Sequence, residues 1–316
     1  MKNQTTSDML VLSGLSDLPS LQLPLFLVFL LVYLMTLAGN LLIIALIFTD
    51  SNLHTPMFFF LGTLACLDMG YSTVTTPRML FDLPRQNKQI SLHDCITQIY
   101  FFVGFGSSEL ILLAVMSFDR YVAICHPLHY IQIMRCKTCA LLISGVFVGG
   151  MAYSLLHTLF LLKLTFCSSK PLQSFFCDFP QLLLASCSDT FINVLLILIS
   201  NVFFGGGILT LTFCPYIIIL NTIMKFKSKA MRSKAFSTCS SHLTVVLIFY
   251  ISVDFNYFRP NFDYHVGENR VASVLYAVIT PMLNPLIYSL RNQELKTSLK
   301  RSLMRFQRTT KATEQH

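Results

Sequence analysis

Hydrophobic positions gather into seven long runs, approximately 23–48, 57–80, 96–118, 139–162, 192–224, 238–258 and 271–290. Each reaches the roughly 20 residues a helix needs to cross hydrocarbon, although single polar positions interrupt several of them. An open chain can cross only as helices, because hydrocarbon offers the backbone no hydrogen-bond partners. The runs therefore predict an all-α membrane protein: a bundle of seven transmembrane helices over 23–290, preceded by an N-terminal segment 1–22. In the remaining segment, 291–316, Leu295, Leu299, Leu303 and Phe306 are spaced among bases. That pattern predicts a short amphipathic helix over 292–308, lying on the membrane surface. The polar start leads into a first run that is long enough to span and has no small-residue cleavage pattern, so no signal peptide is expected.

Composition agrees with this reading. The 316 residues are 54% hydrophobic and only 12% charged, against about 25% charged in soluble domains. A net charge of +8 is compatible with nucleic-acid binding, but the bases are distributed by topology. Seven spans put the termini on opposite sides. Fifteen of the 23 lysines and arginines then share one side: Arg120, Arg135, Lys137, the 225–234 cluster and the tail. The positive-inside rule places that side in the cytosol. The expectation is a multi-pass plasma-membrane protein with an extracellular N-terminus, a cytoplasmic C-terminus, contacts to membrane lipid and no nucleic-acid partner. Asn3-Gln4-Thr5 is an N-x-T sequon on the outer end, which makes Asn3 a candidate for glycosylation.

The ten cysteines sort by side. Cys95, Cys167, Cys177 and Cys187 fall on the outer side, where bridges persist. Four cysteines allow three pairings, and spacing does not choose among them. The other six lie in spans or on the inner side. Cys136 and Cys139 form a C-x-x-C, but one pair offers only two of the four ligands a closed zinc site needs. They read as reduced thiols at a helix start.

Ionisable residues inside hydrocarbon are costly and rarely accidental. Asp119 and Arg120 close the third run, after LILLAVM, and Asp68 and Glu109 lie within the second and third. From charge alone, Asp119 and Arg120 read equally as an anchoring salt bridge or as a switch. Their surroundings separate the two. The stretch SFDRYVAICHPLHY at 117–130 resembles the M-A-Y-D-R-Y-V-A-I-C-H-P-L signature of olfactory receptors, which are rhodopsin-like G-protein-coupled receptors. LHTPMFFFL at 53–61, KAFSTCSSHLTVV at 234–246 and PMLNPLIYSLRN at 281–292 resemble the same family, in the same order. With Asn40, Asp68 and the outer cysteines, the resemblance covers nearly the whole chain. The outer loop and FNYFRP look more like the tetrapod-type, class II group.

The resemblance implies an odorant receptor without catalytic chemistry. A small volatile ligand would bind in the outer half of the bundle and activate a stimulatory heterotrimeric G protein, raising cAMP. It implies disulfides Cys95–Cys177 and Cys167–Cys187. It implies a switch in which Asp119 holds Arg120 at rest beside Tyr121, with Tyr216 and His242 as polar partners of the freed arginine. Asn284, Pro285 and Tyr288 belong to the same switch, because a proline in the seventh helix creates a deformable point. Asp68 and Glu109 suit a sodium ion, with Asn284 and Ser289 as neighbours; no other cofactor is implied. By position relative to the motifs, the ligand residues are Phe102, Val103, Gly106 and Ser107 in the third span and Ser200, Asn201 and Phe204 in the fifth. The sixth span adds Tyr250, Val253, Asp254 and Tyr257, which share one helical face.

Some positions depart from the family pattern. Asp254 stands where an apolar or small residue is usual, so it reads as a contact for an amine, a neutral hydrogen-bond donor, or a group bonded to nearby Tyr or Asn. Phe58 and Phe118 replace tyrosines. Pro215, with Gly205-Gly206-Gly207 mid-span, predicts a deformable fifth helix. The alternative function is a transporter or channel for a small solute, but no inverted repeat or continuous charged path is visible. An intramembrane enzyme would need a motif such as Gly-x-Ser-x-Gly or His-Glu-x-x-His, and neither is present.

Overall fold

Each of the seven apolar runs lies on a helix in a computed structural model, which describes residues 9–16, 18–166, 171–225, 228–257 and 273–313. Side chains at 234, 237, 238, 241, 252–257, 290, 291 and 305–313 lie outside that description. Helix α1 spans Pro19–Thr49 and α2 spans Pro56–Asp82. Both begin on a proline, whose missing N–H is no loss in a first turn. Helix α3, Leu92–Cys125, is opened by Ser91, whose hydroxyl accepts the Asp94 N–H at 3.0 Å. Helix α4 is Cys136–Leu161, α5 runs over Phe191–Met224 and α6 is Lys229–Tyr257. Helix α7 occupies 273–291 and α8 is Gln293–Thr313.

Polarity is inverted relative to a water-soluble bundle. Thr36, Asn40, Asp68, Ser108, Glu109 and Ser117 are buried, whereas Leu23, Leu31, Phe48, Val148, Phe203 and Ile217 are exposed. Hydrocarbon outside the bundle accounts for both facts. By length and composition, α1 to α5 can each cross a membrane, and α6 contributes the apolar stretch His242–Ile251 among the described residues. The chain is an all-α seven-helix bundle, as expected.

Helix α3 is the axis, packing against α2, α4 and α5. Its contact with α4 is close because Gly150 has no side chain. A Cβ there would lie 2.1 Å from Ser108 Oγ, 2.6 Å from Ser108 N and 2.8 Å from Gly104 O. Two of these are backbone atoms and cannot swing aside. Gly150→Ala is therefore expected to force the helices apart at a cost of about 1–3 kcal/mol. Flow cytometry should show a severalfold drop in surface receptor. Gly145→Ala on the same helix, where nothing lies within 4 Å, should match the parent.

The disulfide end of the bundle is covered by a cap. Strand β1, Met9–Val11, pairs antiparallel with β2, Gln89–Ser91, with Leu10 opposite Ile90. The chain then bridges from Leu12 to Leu172, in parallel. Gly14 turns with φ +71 against Lys88, a conformation that costs glycine no strain. Lys88 Nζ donates to the carbonyls of Ser13 at 3.3 Å and Ser16 at 3.5 Å. Beneath lie Leu10, Leu12, Ile99, Phe166, Leu172 and Phe179. Cys95 and Cys177 form a disulfide, joining the start of α3 to this cap. Cys187 is also disulfide-bonded, while its expected partner Cys167 and the sequon Asn3 lie outside the described residues. Cys66, Cys125, Cys136, Cys139, Cys214 and Cys239 are free thiols, which agrees with the reading of the C-x-x-C.

At the opposite end, Asn292 Oδ1 accepts the N–H groups of Glu294 and Leu295 and starts α8. Leu295 is buried and Leu299 packs beside it, whereas Leu303 is exposed. The helix extends to 313 rather than ending near 308. It also reaches the α1–α2 turn, where Arg301 Nη2 lies 3.3 Å from Asp50 Oδ2. The Asp50 carboxyl is held down at about 2, by the nearby Ser298 hydroxyl first and by Asn52 and then Arg301 after it. Ser298 stands beside the carboxylate without meeting strict hydrogen-bond geometry.

Candidate functional site

The third helix brings an acid and a base to the arginine end. Asp119 is 1% exposed, and Arg120 Nε donates to Asp119 Oδ2 at 3.0 Å, with Nη2 on the same oxygen. The other carboxylate oxygen accepts the Tyr130 hydroxyl at 2.8 Å. Tyr130 lies on a one-turn helix, Tyr130–Ile133, just beyond α3. Burial, followed by the charge of Asp119, pushes its hydroxyl well above the ordinary tyrosine range, so it stays a donor. The carboxylate is satisfied on both sides, and the arginine is closed onto it. Sequence reasoning did not single out Tyr130, although it ends the signature stretch.

Tyr216 on α5 and His242 on α6 meet as a buried pair, with the hydroxyl hydrogen-bonded to Nδ1. His242 Nε2 has no partner among the described residues. These two side chains and Arg120 thus occupy adjoining positions, with the arginine engaged by its own neighbour. Tyr121 turns elsewhere: its hydroxyl is 3.1 Å from His126 Nε2.

A second polar cluster lies mid-bundle. Asn284 Nδ2 donates to Asp68 Oδ1 at 2.8 Å and to Glu109 Oε1 at 3.1 Å. One amide thereby joins α2, α3 and α7. Asp68 Oδ2 is buried without a partner among the described residues, and so is the hydroxyl of Tyr288. Ser289 does not join this cluster, since its hydroxyl donates to Leu286 O at 3.2 Å, back along its own helix. Pro285 packs toward Gly39 on α1, where an added Cβ would come within 3.3 Å of its ring.

The candidate ligand residues fall into three contact sets rather than one. Phe102 stacks on Tyr71 with ring centroids 4.5 Å apart and approaches Phe176 and Tyr276 at 5.0 and 5.7 Å. Gly106 faces the same Tyr71 ring. Val103 borders this aromatic cluster and the cap, and Ser107 is buried beside it on α3. On α5, Ser200 Oγ lies 3.1 Å from His157 Nε2 and 3.3 Å from the Tyr153 hydroxyl, and Phe204 stacks on Tyr153 at 4.3 Å. Those side chains face α4. Asn201 begins a π-helical turn, Asn201–Gly205, just before Gly206 and Gly207. Tyr250 is buried against α5, with its hydroxyl 3.3 Å from Thr212. Val253, Asp254 and Tyr257 continue α6, but their side chains lie outside the described residues.

A helical bundle with exposed apolar flanks, a closed Asp–Arg pair at one end and an aromatic cluster under a disulfide-bonded cap at the other has the make-up of a seven-helix membrane protein. A family profile described as olfactory receptor matches residues 29–306. Olfactory receptor 5B12 of Homo sapiens is 46% identical over 303 residues, covering 96% of both chains. Olfactory receptor 8G17 of Mus musculus is 47% identical over 302 residues, covering 95% of this chain and 98% of its own. Olfactory receptor 5AR1 of Mus musculus is 45% identical over 300 residues, covering 95% and 97%. The chain belongs to the olfactory receptor family. Its members are receptors of the plasma membrane rather than enzymes.

Proposed function

We propose that this receptor binds a small volatile odorant in the half of the bundle nearest the disulfide and signals through a stimulatory G protein that raises cAMP. The observation that carries the proposal is the closed Asp119–Arg120 pair, with its acid buried and with the bonded Tyr216–His242 pair close enough to feel the arginine's charge. An ion pair with a second polar partner within reach suits two discrete arrangements, and an odorant that favours one of them shifts the population. The cluster of bases supports a cytosolic arginine end and α8, with the N-terminus outside. Asp68 and Glu109 meet at one amide, and among the described residues Asp68 Oδ2 has no partner. Two such acids call for a sodium ion or a shared proton.

Cells carrying a cAMP reporter and a chemically mixed odorant panel, amines included, test this reading. An odorant-evoked cAMP rise without ion flux supports it; a current without cAMP would favour the transporter or channel. If Asp254 meets a cationic ligand, Asp254→Asn should weaken amine responses at least about tenfold, the scale of one charge-assisted hydrogen bond. Equal amine responses from parent and variant would exclude that contact.

A further inference from the structure

A polar contact that the switch does not use joins the cap to α7. Tyr276 lies in the π turn Leu275–Ile279 at the head of α7. Its hydroxyl donates to Asp178 Oδ2 at 2.9 Å. Both residues are buried, at 3% and 5% exposure. Asp178 follows Cys177, which is disulfide-bonded to α3. Its other oxygen, Oδ1, caps the short helix Phe179–Leu184 by accepting the Phe179 N–H at 2.8 Å. The Cys177 N–H donates to Gln98 Oε1 on α3, and Gln98 Nε2 donates to Val74 O on α2. Residues 175–178 are therefore fixed to α2 and α3 through the backbone and the disulfide. They reach α7 through Tyr276.

The ring of Tyr276 touches the candidate ligand position. Phe102 and Phe176 pack on it at 5.7 and 6.1 Å, and Phe175 and Phe176 are fully buried over the cluster. A ligand that displaces Phe102 or Phe176 must move this ring, and the ring sits on a wide turn. Such turns are infrequent and common at functional positions. Asn284, Pro285 and Tyr288 follow on the same helix.

We infer that Tyr276 and Asp178 are positioning residues that couple the loop over the ligand chamber to α7, and thereby set resting activity and odorant sensitivity. The inference rests on the signalling reading above. Tyr276→Phe removes the hydroxyl and keeps the ring, so the aromatic packing survives. In full-length receptor matched for surface level, the variant should raise ligand-free cAMP severalfold. In purified receptor it should speed amide exchange over 175–184 about tenfold, the loss of one hydrogen bond to a charged acceptor.

Asp178→Ala should do the same, and adding Tyr276→Phe to it should add little, because one contact is removed only once. Asp178→Asn keeps a polar side chain and should retain most of the parent behaviour. Unchanged exchange in Tyr276→Phe overturns the contact's role. Faster exchange with unchanged cAMP, in a receptor that responds to odorant, overturns the coupling. If no form moves cAMP with any odorant, the signalling reading fails, and with it the coupling; the exchange data still decide whether the contact orders the loop.

Discussion

Cys177→Ser should leave little receptor at the cell surface. The bridge to Cys95 closes a loop of 82 residues, and removing a native disulfide of this kind typically costs about 2–5 kcal/mol. Here the loss is concentrated where the cap is built. Cys95 and Cys177 are both fully buried among Leu10, Leu12, Ile99, Phe166 and Leu182. Without the bridge, the polar contacts left to residues 175–178 include those with Gln98 on α3 and Tyr276 on α7. Surface staining of an N-terminally tagged chain should fall by an order of magnitude while total protein stays measurable. Cys214→Ser, which alters an exposed free thiol on α5, should stain like the parent.

Arg120→Ala should abolish signalling while sparing most of the surface expression. The side chain is 11% exposed and serves one acid. Removing it leaves Asp119 buried with only the Tyr130 hydroxyl. Breaking a buried pair from one side can cost about 3–5 kcal/mol; here the arginine is partly exposed and the Tyr130 hydroxyl stays on the acid, which limits that. The functional loss is larger, because without the guanidinium Tyr216 and His242 have no cation to receive. Ligand-free and odorant-evoked cAMP should both drop to the level of untransfected cells. Tyr216→Phe should give a partial loss, since His242 loses its bonded hydroxyl but the arginine remains.

The spans were legible because hydrocarbon demands long apolar runs, and polar residues inside them stand out. That is why Asp68, Glu109, Asp119 and Arg120 could be read as a site from the letters. Asn284 joined them through motif position, and the structure places it between both acids. Ser289, named for the same reason, hydrogen-bonds back along its own helix. What the letters did not show depends on long-range geometry. The cap joins Leu10 to Ile90 and Leu12 to Leu172, and short strands so far apart carry no periodic signal. The π turns at Asn201–Gly205 and Leu275–Ile279 change which side chains share a face. Ser200 and Phe204, four residues apart, share a face on a regular helical wheel as well, but the wheel does not say that this face meets Tyr153 and His157 on α4. The glycines after Phe204 did mark the place where α5 departs from regularity. Tyr130 sits on a one-turn helix after α3 and Asp178 just ahead of a short helix in the cap, where sequence spacing says nothing about reach.

The contact between α8 and the α1–α2 turn should be insensitive to cellular pH. The Asp50 carboxyl is held near 2, below its unfolded value of about 3.9. Its contribution is therefore complete above the unfolded value and is lost only as pH falls through the folded one. Arg301→Ala should have a small effect on surface level, as expected of a partly exposed ion pair.

If ligand binding at one end of the bundle is read by a G protein at the other, the response depends on that G protein. The most direct measurement compares odorant-panel cAMP responses in cells with and without the stimulatory Gα subunit, at equal receptor surface levels. Odorant should evoke a cAMP rise that disappears with the subunit, while the receptor carries no current of its own. An odorant-evoked current through the receptor that persists without the subunit, with no change in cAMP in either cell, would contradict it.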